Sequence, residues 1–289
     1  MDKILEQLKK QYKEIPIPPE LDTVVRKALK KHRNGKKYGL IGTSAAAVLF
    51  VAVVNASPTL AQQLLEIPVL GPLIKVVTIA EFQHEEDRFQ ADLKVPAVTN
   101  MENKKLEEML NQKYLAENKI LYEEFMKEMA ELKAQEEGNF SIHGGYEVVT
   151  DTDRLLSIRR YVVETAASGV ETVKHDTIDK KNQILITLPS LFKDESYVQV
   201  ISENIKEQMR AQMEADDGII YWVEGAELDD FTEPFTEIAP DHDFYITAEG
   251  KLVISFDEYE VAPGYMGTVE FVIPTEVIQP LLVSNEYIK

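Results

Sequence analysis

The sequence predicts an α+β protein, with helix-on-antiparallel-sheet units that follow a single transmembrane helix and a short helical segment at the N-terminus. Three observations support this fold class. Residues 38–65 contain no charged side chain. Residues 101–136 show the apolar spacing of one long amphipathic helix. Beyond that helix, short runs of residues alternate between apolar and polar or are wholly apolar, which is typical of strands.

The net charge is divided unevenly along the sequence. The chain has 289 residues with 50 acidic and 31 basic side chains, a net charge of −19. Residues 1–37 carry 11 basic and 5 acidic side chains, a net charge of +6, which leaves −25 for the rest. The acidic bulk argues against nucleic-acid binding by the molecule as a whole. The complete absence of cysteine excludes disulfides, thiolate zinc sites and cysteine nucleophiles.

Two short amphipathic helices are predicted within residues 1–37. The first covers residues 2–14 and ends before a proline cluster, and the second covers residues 19–32. Segments this short cannot bury their apolar faces alone, so we expect them to fold on a partner. A basic arm that lies on the membrane surface is the alternative. The apolar face of the second helix contains Leu21, Val24, Val25 and Leu29, and these residues are the expected interface with the partner.

Residues 38–58 are predicted to cross a membrane once. The apolar stretch 39–54 would span only about 24 Å as a helix, so the span has to continue to reach across a roughly 30 Å hydrocarbon core. A buried helix of a soluble protein is the alternative, but the charged flanks argue against it. Basic residues precede the span and acidic residues follow it, so the N-terminus is expected in the cytoplasm and the C-terminal part outside.

Residues 59–75 are predicted to be a juxtamembrane connector with a protease site. Thr59 and Ala61 place small side chains at the −3 and −1 positions that signal peptidase favours. The segment before the span is longer than the basic start of a usual signal peptide, which favours a signal anchor. The residues leave open whether cleavage is constitutive or triggered.

The part beyond the connector is predicted to form two α+β units, residues 76–188 and 189–289. The first has a strand-like stretch at 76–94, the long helix ended by Gly138, and strands at 140–150, 155–165, 171–179 and 184–188. The second has a helix at 196–214, a hairpin of residues 244–246 and 252–256, and a strand at 268–273. Each unit is expected to pack a helix on an antiparallel sheet.

No catalytic residue, metal ligand set or cofactor is predicted. The five histidines form no HxxxH or HExxH pair, and acidic neighbours of a lone histidine are mostly surface residues. The sequence has no GxSxG motif and no glycine-rich phosphate loop. Paired carboxylates are so frequent in this acidic chain that no single pair indicates acid–base catalysis.

The segment at residues 260–267 is the candidate interaction loop. Pro263 and Gly264 predict a turn between two strands, and this turn would present Tyr265 and Met266. Tyrosine and methionine are side chains of the kind that anchor protein interfaces. A tight hairpin loop whose tyrosine folds back onto the core is the alternative.

Several long strings of the sequence resemble one family of bacterial regulators. They are residues 67–71 (IPVLG), 151–160 (DTDRLLSIRR), 177–182 (TIDKKN), 191–195 (LFKDE) and 254–265 (ISFDEYEVAPGY). Together with a basic N-terminal segment, one span and an outer domain, they make the chain similar nearly end to end to the anti-sigma-V factors of Gram-positive bacteria.

This resemblance implies a signalling protein of the cell membrane that has no catalysis of its own. Residues 1–37 would hold an extracytoplasmic-function sigma factor inactive, and the outer part would be a receptor for c-type lysozyme. Lysozyme binding would expose the connector to signal peptidase, and an intramembrane site-2 metalloprotease would then cut within the span. The released sigma factor would activate transcription of lysozyme-resistance genes.

The resemblance also implies residues for each role. Where the family has Ala-x-Ala, this chain has Ala61 followed by two glutamines, so Thr59 to Ala61 is the expected substitute. The net charge of −25 would steer a strongly basic lysozyme toward the outer part. The implied lysozyme-binding residues are Pro263, Gly264, Tyr265, Met266 and Ser168.

Two other functions stay open at this point. One is a membrane-anchored cell-envelope enzyme that acts on peptidoglycan, and the other is an anchored binding module with a different ligand. An enzyme needs only an anchor, whereas two amphipathic helices before the span call for a cytoplasmic partner. A simple binding module predicts no regulated cleavage near Ala61.

Overall fold

The computed structural model describes residues 74–135, 138–226, 228 and 232–289. The predicted cytoplasmic segment, the span at 38–58 and the connector up to residue 73 lie outside the described residues. In the described ranges, no helix combines the length and the apolar character that are needed to cross a membrane. The proposed sigma-binding and protease-site residues also lie outside: Leu21, Val24, Val25, Leu29, Thr59 and Ala61.

Strands and helices alternate through the described part of the chain, which confirms the predicted α+β class. The strands are β1 (Lys75–Glu86), β2 (Phe89–Thr99), β3 (Phe140–Asp151), β4 (Leu155–Thr165), β5 (Gly169–Asp179), β6 (Ile184–Ile186), β7 (Phe244–Ile246), β8 (Leu252–Phe256) and β9 (Val269–Ile273). The α-helices are α1 (Lys104–Ala134), α2 (Ser196–Ala215) and the short α3 (Thr275–Ile278).

The stretch predicted as strand-like at residues 76–94 is a hairpin of β1 and β2. The chain reverses at Asp87 and Arg88, where Asp87 has a φ of 48°. Aspartate tolerates a left-handed φ better than most residues, so this turn needs neither glycine nor proline. The prediction missed the reversal because both of those usual turn signals are absent.

The strands β1 to β6 form one sheet in chain order. Four neighbouring pairs are antiparallel, as predicted, but β2 and β3 run parallel. The prediction of a wholly antiparallel sheet is therefore wrong at this pair. A parallel connection needs a crossover of a dozen or more residues, and the 31-residue helix α1 supplies it.

The helix α1 packs its apolar stripe on one face of this sheet. Its N-terminus is capped by Asn103, whose Oδ1 accepts a 3.2 Å hydrogen bond from the Leu106 amide. Gly138 follows the helix with a φ of 71°, a conformation that glycine adopts without strain. The buried side chains of α1 are Leu106, Leu110, Tyr114, Asn118, Phe125 and Met129.

The helix α1 crosses the sheet diagonally. Near its start, Lys113 Nζ lies 2.9 Å from Asp176 Oδ1 on β5. Near its end, Lys133 forms an ion pair with Glu86 on β1. The helix therefore leaves a part of β4 and β5 uncovered, beside the hairpin tip at residues 166–168.

The strands β7, β8 and β9 form a second, antiparallel sheet with β8 in the centre. Every residue of β8 is buried. The helix α2 packs against this sheet, and their shared core also contains Leu155 and Ile186 from the larger sheet. The two sheets fall within the two predicted units, apart from Lys75, but the division into those units stays a prediction.

Candidate protein-binding site

The predicted interaction loop connects β8 to β9 and ends in a rigid turn. Pro263 has a φ of −61°, which is the value that its ring fixes. A single 3-10 turn follows at Gly264–Met266, and the Met266 amide donates a 2.9 Å hydrogen bond to the Pro263 carbonyl. Gly267 closes the turn with a φ of 65° that favours glycine. The sequence therefore fixes the direction of the loop tip.

The side chain of Tyr265 points away from the core. It is 65% exposed, and its hydroxyl donates a 3.1 Å hydrogen bond to the carbonyl of Gly218, in the turn after α2. The alternative in which this tyrosine folds back onto the core is therefore excluded. Met266 differs, because it is partly buried against the core of the smaller sheet and supports the turn from below.

A second tyrosine, which the sequence analysis did not single out, packs beneath the tip. Tyr259 is 46% exposed and has a φ of 66°, an uncommon value for a residue other than glycine. A Cβ atom at Gly264 would lie only 2.2 Å from Cζ of this tyrosine. Gly264 therefore allows the Tyr259 ring to lie against the turn, a role that its place in a Pro-Gly pair does not indicate.

The base of the loop is firmly held. Val261 and Ala262 are each 1% exposed. The amide of Trp222 donates a 2.8 Å hydrogen bond to the Val261 carbonyl, and the Phe235 amide donates one of 2.7 Å to the Trp222 carbonyl. The loop thus consists of an exposed tip on a buried, hydrogen-bonded base.

Three carboxylates from the second half of the chain bind the free edge of β5. Asp257 Oδ1 accepts a 2.6 Å hydrogen bond from the Val173 amide. Asp243 Oδ1 accepts one of 2.7 Å from the amide of His175, further along the same edge. Glu258 Oε2 accepts a hydrogen bond from the Glu171 amide, near the start of the strand. These groups occupy backbone donors in the part of β5 that the short strand β6 does not pair, so they protect this exposed edge against pairing with another strand.

Ser168 lies in an exposed position at the tip of the β4–β5 hairpin. Three residues later, the Glu171 amide donates a 2.8 Å hydrogen bond to Glu258 Oε2, and the Glu258 amide donates one of 3.1 Å to the Glu171 carbonyl. Three residues of strand span about 10 Å. The structure therefore joins the hairpin of Ser168 to the loop that carries Tyr265, although the two are far apart in sequence.

The carboxyl group of Asp257 lies in a half-buried, cation-poor setting beneath the loop. Burial raises its pKa, and the hydrogen bond from the Val173 amide offsets only part of that rise. Asp243 raises the pKa further, while Lys174 and His242 act in the opposite direction. Within the described ranges, no lysine or arginine forms an ion pair with this carboxylate.

A buried Asp–His pair lies near the same edge but does not have the form of a catalytic pair. His175 Nδ1 lies 2.6 Å from Asp243 Oδ2, and the histidine side chain is 0% exposed. Its Nε2 atom is buried and has no hydrogen-bond partner among the described residues, so none of them is placed as a nucleophile hydrogen-bonded to this imidazole. In the same ranges, no cluster of three or more acidic or histidine side chains is arranged to hold a metal ion.

The fold of this chain resembles the solved structures of one protein family, and part of its sequence matches that family. Residues 189–276, which include α2, both strands of the loop and the loop itself, match a family described as a protein of unknown function, DUF3298. A member of that family from Bacteroides fragilis NCTC 9343 has a TM-score of 0.54 and 17% identity, covering 74% of this chain and 95% of its own. One from Pseudomonas aeruginosa PAO1 has a TM-score of 0.52 and 14% identity, covering 75% and 98%. These structures share the fold alone.

A full-length relative then defines the family. The anti-sigma-V factor RsiV of Bacillus subtilis (strain 168) is 51% identical over 292 residues, which cover 100% of both chains. The chain belongs to the anti-sigma-V factor family.

Proposed function

We propose that this protein is an anti-sigma factor that holds an extracytoplasmic-function sigma factor inactive at the cytoplasmic face of the cell membrane. Membership of the anti-sigma-V factor family supports this role. The sequence supports it independently, because residues 1–37, in which two amphipathic helices are predicted, carry a net charge of +6 and precede the uncharged stretch. In this proposal the face of Leu21, Val24, Val25 and Leu29 contacts the sigma factor.

The part of the chain beyond the span acts as a receptor for c-type lysozyme. The observation that carries this proposal is the tip at Tyr265, which combines an exposed aromatic ring with a rigid Pro-Gly frame and a buried base. A projecting tip of this kind fits a concave partner surface, such as the substrate cleft of an enzyme. Lysozyme inhibition would be a by-product if the tip fills that cleft.

The charge around the tip also fits a basic ligand. The carbonyl that accepts the Tyr265 hydroxyl belongs to Gly218, which directly follows the exposed carboxylates of Asp216 and Asp217. Glu260, five residues before Tyr265, is exposed as well. Carboxylates around an apolar anchor raise the association rate and the selectivity for a basic protein.

Signalling in this proposal passes through proteolysis of a single-pass protein whose N-terminus is cytoplasmic. Lysozyme binding makes the connector accessible to signal peptidase, which cuts after Ala61, at the small residues Thr59 and Ala61. An intramembrane site-2 metalloprotease then cuts the span and releases the sigma factor. The chain itself binds and regulates, and its partners carry out all the bond cleavage.

Calorimetric titration of the full chain in detergent micelles with a c-type lysozyme, at two salt concentrations, tests the receptor role. We expect one-to-one binding that weakens as salt rises. Replacement of Tyr265 by alanine is expected to weaken binding by at least about 1 to 2 kcal/mol, as loss of an aromatic anchor does. Replacement by phenylalanine is the matched control, because it keeps the ring and removes only the hydroxyl. Unchanged affinity of Tyr265→Ala would remove the loop from the binding site.

Co-purification of the full chain with its sigma factor tests the anti-sigma role. The double variant Leu21→Glu/Val25→Glu puts two charges on the proposed face and is expected to abolish co-purification. Thr23→Glu, on the opposite side of the predicted helix, is the control and is expected to keep the complex. Retention of the sigma factor by the double variant would contradict the proposed face.

A further inference from the structure

A groove lies beside α1 where that helix leaves β4 and β5 uncovered. Two open cavities of about 490 and 220 Å³ adjoin there, and both are lined by Leu121. The floor is largely apolar, and Ile120 on the helix side is 54% exposed. We call this feature the α1 groove. Its apolar lining includes Ile120, Leu121, Phe140, Ile142, Val162 and Ala167.

Three carboxylates without partners stand around the larger cavity of the α1 groove. Glu124 and Glu128 project from α1, and Glu164 projects from β4 across the groove. All three are exposed, and none forms an ion pair or hydrogen bond with any described residue. Glu124 and Glu128 are one helical turn apart, where like charges repel each other. No lysine or arginine among the described residues lines this larger cavity, and Arg160 and Lys174 line only the smaller one.

Neighbouring glutamates of the same helix behave differently. Glu123 lies 3.7 Å from Lys119 Nζ, and Glu131 lies 3.8 Å from Lys127 Nζ, each as an i,i+4 pair. Glu117 pairs with Arg160. Of the five other glutamates of α1, only Glu108 forms no ion pair with a described residue, whereas all three carboxylates around the larger cavity lack one. This contrast points to a cationic group that comes from another molecule.

The α1 groove ends at the hairpin that carries Ser168. Ala166 and Ala167 line its outer end, directly before Ser168. On the other side of the same hairpin, Glu171 is hydrogen-bonded to Glu258 of the Tyr265 loop. A standard interface of about 800 Å² per partner is roughly 30 Å across. The β4–β5 hairpin therefore connects the groove to the Tyr265 loop, and an interface of this width is the size that would cover both.

We infer that the α1 groove is a second contact surface for the cationic protein that binds the Tyr265 loop. This inference rests on the proposed receptor function. A lysine or arginine of the ligand lies among Glu124, Glu128 and Glu164, and its apolar stem covers the floor. The occupant is a basic protein surface, because uncompensated carboxylates repel an acidic protein or an anionic membrane.

The test is titration of the full chain in detergent micelles with a c-type lysozyme. The groove variant Glu124→Gln/Glu128→Gln/Glu164→Gln removes the three unpaired charges and keeps the side-chain shapes. The control variant Glu108→Gln/Glu207→Gln/Glu276→Gln removes three exposed glutamates that line neither cavity and have no ion pair among the described residues. Both variants change the net charge by three, so they alter long-range steering alike.

We expect the groove variant to bind at least tenfold more weakly than the wild type at low salt, and the control less than threefold more weakly. The difference between the variants should shrink at high salt, because it is electrostatic. Ile120→Ser is a further variant that changes no charge, and it should weaken binding about threefold through the lost apolar contact.

Two results would overturn the inference, and they are distinguishable. If the two triple variants weaken binding equally and Ile120→Ser has no effect, the groove is not a contact surface and its charges act only at long range. If the wild type itself does not bind lysozyme, the receptor proposal fails, and the inference fails with it. Thermal unfolding of each variant, followed by circular dichroism, verifies that the fold is retained.

Discussion

The two sheets of the described region hold their interior carboxylates in opposite ways. Asp176, under α1 in the larger sheet, is 3% exposed and is bound by Arg160 and Lys113. Asp257, beside the smaller sheet, is half-buried and is bound by a backbone amide instead of a cation. The cations neutralise the charge of Asp176. The charge of Asp257 has no such cation, so burial destabilises its ionised form. The ion pairs of Asp176 are therefore expected to stabilise the larger sheet. The carboxylate of Asp257 is expected to contribute little stability, although it joins the Tyr265 loop to β5.

The pKa values express the same contrast. Burial by itself would raise the pKa of Asp176, but the charges of Arg160 and Lys113 outweigh burial and hold the pKa below its ordinary value. For Asp257, burial is the largest influence and the pKa is raised. When folding lowers the pKa of a carboxyl group, the ionised group stabilises the folded state at neutral pH. When folding raises the pKa, the ionised group destabilises the folded state.

The largest effect is expected when the neutralising cation of the first region is removed. Arg160→Met keeps the apolar stem but leaves Asp176 with Lys113 alone and Glu117 unpaired. Removing one partner of a buried ion pair costs about 3 to 5 kcal/mol of the free energy of unfolding. Urea unfolding followed by circular dichroism measures this change.

The control for this variant is Arg88→Met, whose guanidinium is half exposed and lies 3.9 Å from Asp87. Exposed pairs contribute about 0 to 1 kcal/mol, so this variant should be close to the wild type. Equal losses for both variants would mean that the buried ion pairs of Asp176 stabilise the fold no more than an exposed pair does.

A smaller effect is expected at the loop itself. Gly264→Ala places a Cβ atom against the Tyr259 ring, which is half exposed and can move outward. We expect a loss of about 1 kcal/mol in the free energy of unfolding, because the ring leaves its contact. Gly169→Ala is the matched control, since its nearest contact would be 3.5 Å away.

A double-mutant cycle sharpens this prediction. In a Tyr259→Ala background the clash is gone, so Gly264→Ala should cost nothing further. If the cost of Gly264→Ala is the same in both backgrounds, the close approach of Tyr259 is not the reason for a glycine here.

The smallest effect on the free energy of unfolding is expected for Asp257→Asn, and it is a small gain in stability or none. Asp257→Asn keeps an oxygen that accepts from the Val173 amide and removes the charge. Because the pKa of Asp257 is raised in the folded state, its ionised form opposes folding above that pKa, and this opposition disappears as pH falls below the unfolded value of about 3.9. The variant should be equal to or up to about 1 kcal/mol more stable than the wild type at pH 7, with no difference at acidic pH.

Unfolding free energies measured from pH 7 down to acidic pH test this sign. Asp176 provides the internal contrast, since its stabilising contribution is present above its unfolded pKa and is lost as pH falls through its lowered folded pKa. A large loss of stability in Asp257→Asn at neutral pH would mean that the charge of Asp257, rather than its acceptor oxygen, holds the edge of β5.

Local patterns in the sequence were sufficient for most elements of the fold. The spacing of apolar residues predicted the ends of α1 and α2 to within a few residues. The alternation of apolar and polar residues predicted β3, β4 and β5. The parallel pairing of β2 with β3 was missed because it depends on where a long helix returns the chain, which no local pattern encodes.

In the candidate site, too, the sequence predicted the local features but not the contacts between distant residues. Pro263 and Gly264 predicted the turn at Tyr265 because the turn is a local property of those residues. The hydrogen bonds between Glu171 and Glu258 join positions 87 apart in the sequence, so spacing could not reveal them. The unpaired state of Glu124, Glu128 and Glu164 was likewise invisible, because the sequence does not say which charges lie near one another.

Trp222 lies where a spectroscopic label would report on the base of the Tyr265 loop. It is the chain's only tryptophan, and its backbone is hydrogen-bonded to the base of the Tyr265 loop. Biosynthetic replacement by fluorotryptophan would put one fluorine nucleus at this position, and the fluorine NMR spectrum would contain one protein resonance. An unlabelled ligand would contribute no signal, so the chemical shift would report directly on the environment of the loop base.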